Sequence, residues 1–361
     1  MKIGVNSRIY QNCESGIPYY VKSLYSNVLR ADDKNEYVFF QTDASKRLGP
    51  TKTLKLPNNL AGNSLFDLAL VDSLARNDRV DVFHGTASIL PVRKSRGYRN
   101  VVTIHDLAFM VYPEFYSALY RAYFGFAIKR SLQNADMVVC DSDSTRADVL
   151  RFFKIPEERV ETVHLGVNDI FLEPGQQTVP LMPEKYFFSL TTHPKRKNVL
   201  KVLDVMARSR KLREFKYVIA GLISKEHRLE LDSYIARLGL CNNVLVMGYL
   251  SEGDLLRLYR SAEFMVYPSY YEGFGFPVLE AMASFCPVLT SDNSSLVELN
   301  PDPEWRVSPD DVEEMMFKME SLVELSGDSR ADLVNKNRKF AETFRWRKTA
   351  ARMINIFTEV H

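Results

Sequence analysis

Two glutamates eight positions apart, Glu272 and Glu280, bracket a glycine-rich turn in the run Ser-Tyr-Tyr-Glu-Gly-Phe-Gly-Phe-Pro-Val-Leu-Glu-Ala-Met-Ala, 269–283. The run follows an apolar stretch, Glu263 to Pro268, that reads as a strand, and it opens into a helix. A strand, a turn with Gly273 and Gly275 and then a helix start is a place where backbone N–H groups point outward at an anion. A carboxylate on each side of such a cradle suits a ligand with hydroxyls next to phosphate, as in a nucleotide sugar. Taken singly, the two acids read as a loop residue and a surface helix residue. The neighbours of Glu280 argue otherwise: Pro277, Val278, Leu279, Ala281, Met282 and Ala283 make the run so apolar that a buried charge there needs a partner.

Other residues could serve the same chemistry. Arg196 and Lys197 follow an apolar run, Tyr186–Leu190, and are expected to open a helix with Asn198. Cations at a helix start oppose the macrodipole, which makes sense if a phosphate sits there. His105 ends the run Asn-Val-Val-Thr-Ile-His-Asp and is placed at the carboxyl end of a buried strand, where open α/β sheets bind ligands. A core histidine bonded to backbone is the plain alternative. His84-Gly85 ends a similar run and is a weaker signal. Gly16 stands between the first strand and the first long helix, where it either lets backbone approach a phosphate or forms an ordinary turn. Asp141-Ser-Asp143 looks like a D-x-D metal motif, but no second acidic cluster accompanies it, and Ser142 or Ser144 reads as the cap of the helix that follows. Tyr116–Arg130 mixes aromatics with Arg and Lys on a helix, which is either core packing with snorkelling cations or a contact with a lipid-linked acceptor or an anionic membrane face.

The elements that must position these groups alternate regularly. Strands are expected at Lys2–Asn6, Glu36–Gln41, Asp81–His84, Asn100–His105, Asp136–Cys140 and Val160–His164, with helices near 17–31, 64–78, 117–134 and 143–154. A second series follows, with strands at Tyr186–Leu190, Lys216–Ala220, Val244–Met247, Glu263–Tyr267 and Pro287–Thr290 and helices near 197–210, 226–238, 252–261 and 276–284. This rhythm predicts βαβ units and parallel sheets in two Rossmann-like halves. The Pro/Gly/Gln-rich stretch Glu173–Pro183 reads as the linker. The expected domains are 1–172 together with a final helix at 345–361, and 184–344. Two such sheets facing each other would hold a ligand beyond the carboxyl ends of their strands.

The 361 residues suffice for two domains, and 46% hydrophobic and 25% charged residues are ordinary globular values. A net charge of +2 gives no electrostatic case for nucleic acid. The four cysteines, Cys13, Cys140, Cys241 and Cys286, form no C-x-x-C pair and no zinc pattern. Cys140 and Cys286 lie in apolar strand-like runs and are expected to be buried free thiols, and a cytoplasmic location is expected. No run of about 18 apolar residues offers a membrane span.

Taken together, these segments resemble the retaining glycosyltransferases of family 4, which have the GT-B fold. The likeness covers nearly the whole chain in order. It includes Gly16-Ile17, Val101-Val-Thr-Ile-His-Asp-Leu-Ala, Ala135-Asp-Met-Val, Ser144-Thr-Arg-Ala-Asp, Ile155-Pro-Glu-Glu-Arg-Val and His164-Leu-Gly-Val. It continues through Pro194-Lys-Arg-Lys-Asn, Val218-Ile-Ala-Gly, Gly248-Tyr-Leu-Ser, the Glu272-x₇-Glu280 run and Phe344-Arg-Trp346, where a final helix returns to the first domain. Phe285 departs from the pattern, because the family usually has glycine there, and Leu190-Thr-Thr-His193 replaces a glycine loop.

The resemblance implies roles. Glu280 would bind the ribose hydroxyls and Glu272 a hydroxyl of the donor sugar. Backbone N–H groups from Gly273, Phe274, Gly275 and Phe276 would meet the sugar and distal phosphate. Arg196 and Lys197 would neutralise the leaving diphosphate without a metal ion. His105 would contact the donor sugar, Gly16 would lie on the donor side, and the base would sit near Gly248, Tyr249 and Leu250. The implied reaction moves a hexose from a nucleotide diphosphate sugar to a glycan or lipid-linked acceptor in surface polysaccharide assembly, with no cofactor. GDP-mannose is favoured, because similar sequences with an Arg-Lys-Asn run are often mannosyltransferases, and a UDP-sugar is next. Peripheral contact with the inner membrane face belongs to the same expectation. A UDP-sugar epimerase and a catalytically silent binding subunit on the same fold are the rival readings.

Overall fold

A computed structural model of the chain describes residues 1–11, 16–43, 45–93, 97–173 and 179–361. Cys13 and residues 174–178 of the expected linker therefore lie outside the described residues. The chain divides into two compact units, Met1–Gly166 with Arg345–His361, and Val167–Phe344.

The first unit is built on seven parallel strands: β1 (Lys2–Asn6), β2 (Glu36–Gln41), β3 (Thr51–Thr53), β4 (Val82–Gly85), β5 (Arg99–Ile104), β6 (Met137–Cys140) and β7 (Val160–Thr162). Their order is β3-β2-β1-β4-β5-β6-β7. The apolar runs Tyr37–Phe40 and Val101–Ile104 are buried without alternation, as strands covered on both faces must be. Phe40, Phe83, Val102 and Val138 pack there with Phe66, Ile128, Leu132 and Val149 from the helices.

Helix α1 (Ile17–Ala31) has a proline in its first turn. Ser117 caps α2 (Ala118–Asn134) by accepting from the Tyr120 N–H, and Ser142 caps α3 (Asp143–Phe152) by accepting from the Thr145 N–H. The helix expected near 64–78 is a composite: Leu60–Leu65, a π-turn at Phe66–Leu70, then Val71–Asn77.

The second unit has six parallel strands: β8 (Tyr186–Leu190), β9 (Lys216–Ala220), β10 (Val244–Val246), β11 (Met265–Tyr267), β12 (Val288–Ser291) and β13 (Arg306–Val307). Their order is β10-β9-β8-β11-β12-β13. Helices α4 (Val199–Arg208), α5 (Lys225–Arg237), α6 (Glu252–Ser261), α7 (Phe276–Ala283), α8 (Val312–Glu324) and α9 (Gly327–Ala341) accompany it. Helix α4 starts two residues later than 197, because Asn198 is left-handed (φ 57°) and ends a turn containing Arg196 and Lys197. The basic pair thus precedes the helix instead of opening it. Phe285, where the family favours glycine, also adopts a left-handed backbone (φ 61°), and the Arg338 guanidinium lies 5.0 Å from its ring centre.

The last helix, α10 (Trp346–Val360), belongs to the first unit. The Thr349 hydroxyl donates to the His164 carbonyl at 2.8 Å, and Phe357 packs on His84 with ring centres 5.5 Å apart. Gly166 is required at this return, since a Cβ there would stand 2.1 Å from the Trp346 nitrogen.

Candidate active site

In the second sheet the strand order reverses between β8 and β11, which are neighbours through Met265 and Phe188. Loops leaving the carboxyl ends of such a pair diverge and open a crevice. The loop after β8 carries Arg196 and Lys197, and the loop after β11 carries Glu272. These three residues converge although 75 positions separate Lys197 from Glu272.

Lys197 is 9% exposed. Its ammonium donates to a Glu272 carboxylate oxygen and to the Tyr267 hydroxyl, and it lies 4.6 Å from the Tyr267 ring centre. Arg196 donates to the Tyr271 carbonyl at 2.7 Å and stands 3.7 Å from the same Glu272 oxygen. Burial by itself would raise the Glu272 pKa. The charges of Lys197 and Arg196 outweigh it, and the carboxyl stays below its ordinary value. The result is a fixed carboxylate beside two cations whose combined charge exceeds it.

The glycine turn is held from below by two serines. Ser294 accepts from the Glu272 N–H at 3.1 Å, and the Ser295 hydroxyl lies against the carbonyls of Glu272 and Phe274. Gly275 precedes α7 with φ 113°, and a Cβ there would crowd Leu296 and Leu299 at 3.0 and 3.2 Å. Glycine is required on both counts. Pro277 has no N–H, and the Val278 N–H donates to the Gly275 carbonyl at 3.0 Å, so neither offers a donor to a ligand at the start of α7.

Glu280 faces inward from α7 and is 9% exposed. The Tyr259 hydroxyl, from α6, donates to its Oε2 at 2.8 Å. Its Oε1 has no hydrogen bond among the described residues. Burial is the main influence on this carboxyl and raises its pKa to about 7, the Tyr259 bond offsetting part of the rise. A hydroxyl-bearing ligand would supply what this acid lacks.

Gly248, Tyr249 and Leu250 leave the end of β10, and the Gly248 carbonyl accepts from the Gly221 N–H at 3.1 Å. Gly221, at the end of β9, has φ 132°, and a Cβ would fall 2.1 Å from the Thr191 carbonyl oxygen. This close passage locks the loop that leads to Arg196.

His105 and Gly16 belong to the first unit. Gly16 ends the approach to α1 with φ 62°. His105 follows β5 and is 9% exposed. Its Nδ1 lies 2.6 Å from Asp141 Oδ2, and its Nε2 lies 2.7 Å from the Thr86 carbonyl oxygen. Asp141 is buried against His105, whereas Asp143 is exposed at the start of α3, so the D-x-D pair splits between interior and surface.

Sequence reasoning missed Tyr259, Tyr267, Ser294, Ser295, Thr86 and the partnership of Asp141 with His105. No spacing rule links Tyr259 to Glu280, since each lies on its own helix. The serines follow the glycine turn by about twenty residues and touch it only once β12 is in place.

Two family models match in chain order, Glycosyltransferase Family 4 over residues 26–170 and Glycosyl transferases group 1 over residues 176–340. The protein belongs to the family 4-like glycosyltransferases of the GT-B fold. The glycosyltransferase is 28% identical to an O-antigen chain mannosyltransferase B of Escherichia coli over 76% of its own length and 74% of that chain. It is 30% identical to the MMP alpha-(1->4)-mannosyltransferase of Mycolicibacterium hassiacum over 66% of its length, though only 58% of that relative is matched. The crystal structure of Anabaena HepE in complex with UDP-glucose superposes with a TM-score of 0.77 at 14% identity, over 99% of the glycosyltransferase and all of HepE, a likeness of fold alone. No helix among the described residues is long and apolar enough to cross a membrane.

Proposed function

We propose that the glycosyltransferase moves a hexose, with mannose favoured, from a nucleotide diphosphate sugar to a glycan or lipid-linked acceptor, with retention and without a metal ion. The carrying observation is the Lys197–Glu272–Arg196 cluster at the strand-order reversal, with Glu280 buried and one oxygen free beside it. In glycosyl transfer negative charge grows on the departing diphosphate, and preorganised cations and N–H donors aimed at that charge are the main catalytic device. Arg196, Lys197 and the N–H groups from Gly273 to Phe276 are assigned this task. Glu272 holds a sugar hydroxyl and Glu280 the ribose. Gly248–Leu250 flank the base, and His105 and Gly16 act on the donor from the first unit. The diphosphate oxygen takes the acceptor proton as the new bond forms on the face from which it leaves.

Both mannosyltransferase relatives support the sugar, and the Escherichia coli one supports a place in O-antigen or similar surface polysaccharide assembly. The HepE complex supports a nucleotide-sugar donor in general. The rival epimerase and silent-subunit readings find no support among these relatives. Contact with an anionic membrane face is supported by α2, on which Leu119, Tyr120 and Phe126 are 75%, 40% and 54% exposed and Arg121 and Lys129 are exposed as well.

The test is a turnover assay with GDP-mannose, UDP-glucose and UDP-galactose against a lipid-linked glycan acceptor, reading the anomeric configuration by NMR. A lipid-linked α-mannoside formed from GDP-mannose supports the reading. Epimerised free sugar, or an inverted product, overturns it.

A further inference from the structure

The arrangement around His105 leaves a question about its proton. The Thr86 carbonyl only accepts, so Nε2 carries hydrogen. Nδ1 faces Asp141 Oδ2 at 2.6 Å, a charge-assisted distance. Thr86 is fixed in turn, its hydroxyl donating to the Asn6 carbonyl. The Tyr20 ring stands edge-on to the imidazole with centres 4.8 Å apart and prevents it from turning. Asp141 Oδ1 is buried with no hydrogen-bond partner among the described residues, so the charge of Asp141 is met by His105 alone at hydrogen-bond range.

We propose that Asp141 is a positioning residue for His105, holding its ring as an imidazolium with both N–H groups committed, so that His105 presents a fixed ring and no lone pair to the donor. The proposal rests on the reading that His105 acts on the donor sugar. Its consequence is chemical: His105 does not remove the acceptor proton, and that proton goes to the departing diphosphate.

The surrounding groups agree with one positive charge here. Burial opposes a charged His105, but the Asp141 carboxylate outweighs it, with Asp106 and the Thr86 carbonyl in support, and the pKa is raised. His84, on the neighbouring strand, is pushed down to about 3 by burial and by His105, so it stays neutral. Its Nδ1 and Nε2 are engaged by Tyr25 and Thr103 at 2.5 and 2.8 Å. Burial, followed by the charge of Asp141, raises the Tyr20 phenol far out of the working range. Burial raises Asp141 itself, while His105 and, more weakly, His164 act against the rise and Asp106 adds to it.

The experiment is a long-range ¹H–¹⁵N spectrum of the histidine rings between about pH 6 and 9, with His105→Gln identifying the signal. The expected result is two protonated nitrogens on His105 at neutral pH, and a single N–H in Asp141→Asn. In turnover, Asp141→Asn is expected to lower kcat by roughly 10-fold or more with little change in donor KM. A wild-type His105 with one bare nitrogen at neutral pH overturns the proposal, as does an Asp141→Asn enzyme with wild-type kcat. His105→Ala with wild-type kcat would instead remove the donor-side reading of His105, a different failure, recognisable because the wild-type spectrum would still show both N–H groups.

Discussion

Replacing Glu280 by glutamine should stabilise the empty protein and weaken its grip on nucleotide. Glutamine keeps the shape and still accepts from the Tyr259 hydroxyl, but it removes a carboxyl whose pKa is raised from 4.5 to about 7, chiefly by burial. An acid raised in the folded state binds more protons folded than unfolded between those values, so its charge costs stability as pH rises through that window. The cost is about 1 kcal/mol near pH 5 and about 3 kcal/mol near pH 8.5, at about 1.4 kcal/mol per unit. Urea unfolding in a Trp346→Phe background leaves Trp305, in the second unit, as the reporter. Glu280→Gln should raise the stability of that unit by these amounts, with the gain growing from acid to alkaline pH. Nucleotide affinity should fall about 5- to 10-fold, as a charge-assisted bond to a ribose hydroxyl becomes a neutral one. A gain that does not vary with pH would refute the buried-carboxylate reasoning, and unchanged affinity would refute the ribose assignment.

Lys197→Ala should lower kcat/KM by at least ~100-fold, because it removes a fixed cation aimed at the departing diphosphate, and a loss under ~5-fold would remove Lys197 from the machinery. Gly221→Ala should cost about 3 kcal/mol or more in urea unfolding, since the new Cβ would collide with the Thr191 carbonyl in a backbone region closed to side chains. A cost below ~1 kcal/mol would show that the loop to Arg196 is not locked there.

Most of the sheet architecture is legible in the sequence because its strands are buried apolar runs, such as Tyr37–Phe40 and Tyr186–Phe188, set between amphipathic helices. Two of the four edge strands, β3 and β13, are not legible. Thr51–Thr53 is polar and Arg306–Val307 spans two residues, so neither has a pattern to read. The π-turn at Phe66–Leu70 is invisible to a rule built on 3.6 residues per turn. At the candidate site, the burial of Glu280 follows from its apolar neighbours, and the need for glycine at position 275 follows from the helix start. The convergence of Lys197 with Glu272 is not encoded in any local spacing. It arises because parallel strands place every βα loop at one end, and because β8 and β11 are neighbours despite being far apart in sequence. The D-x-D likeness of Asp141 and Asp143 is set aside in the sequence for want of a second acidic cluster, but nothing there shows that the strand end at Cys140 turns Asp141 inward against His105 and Asp143 out.

The most direct test of the donor site is calorimetric titration of the purified protein with GDP, UDP and ADP in EDTA. One-to-one binding of a single nucleotide, abolished in Lys197→Ala and weakened in Glu280→Gln, is the predicted result. Absence of binding by all three, or binding unchanged by both substitutions, would contradict the assignment of the second unit as the nucleotide-sugar site.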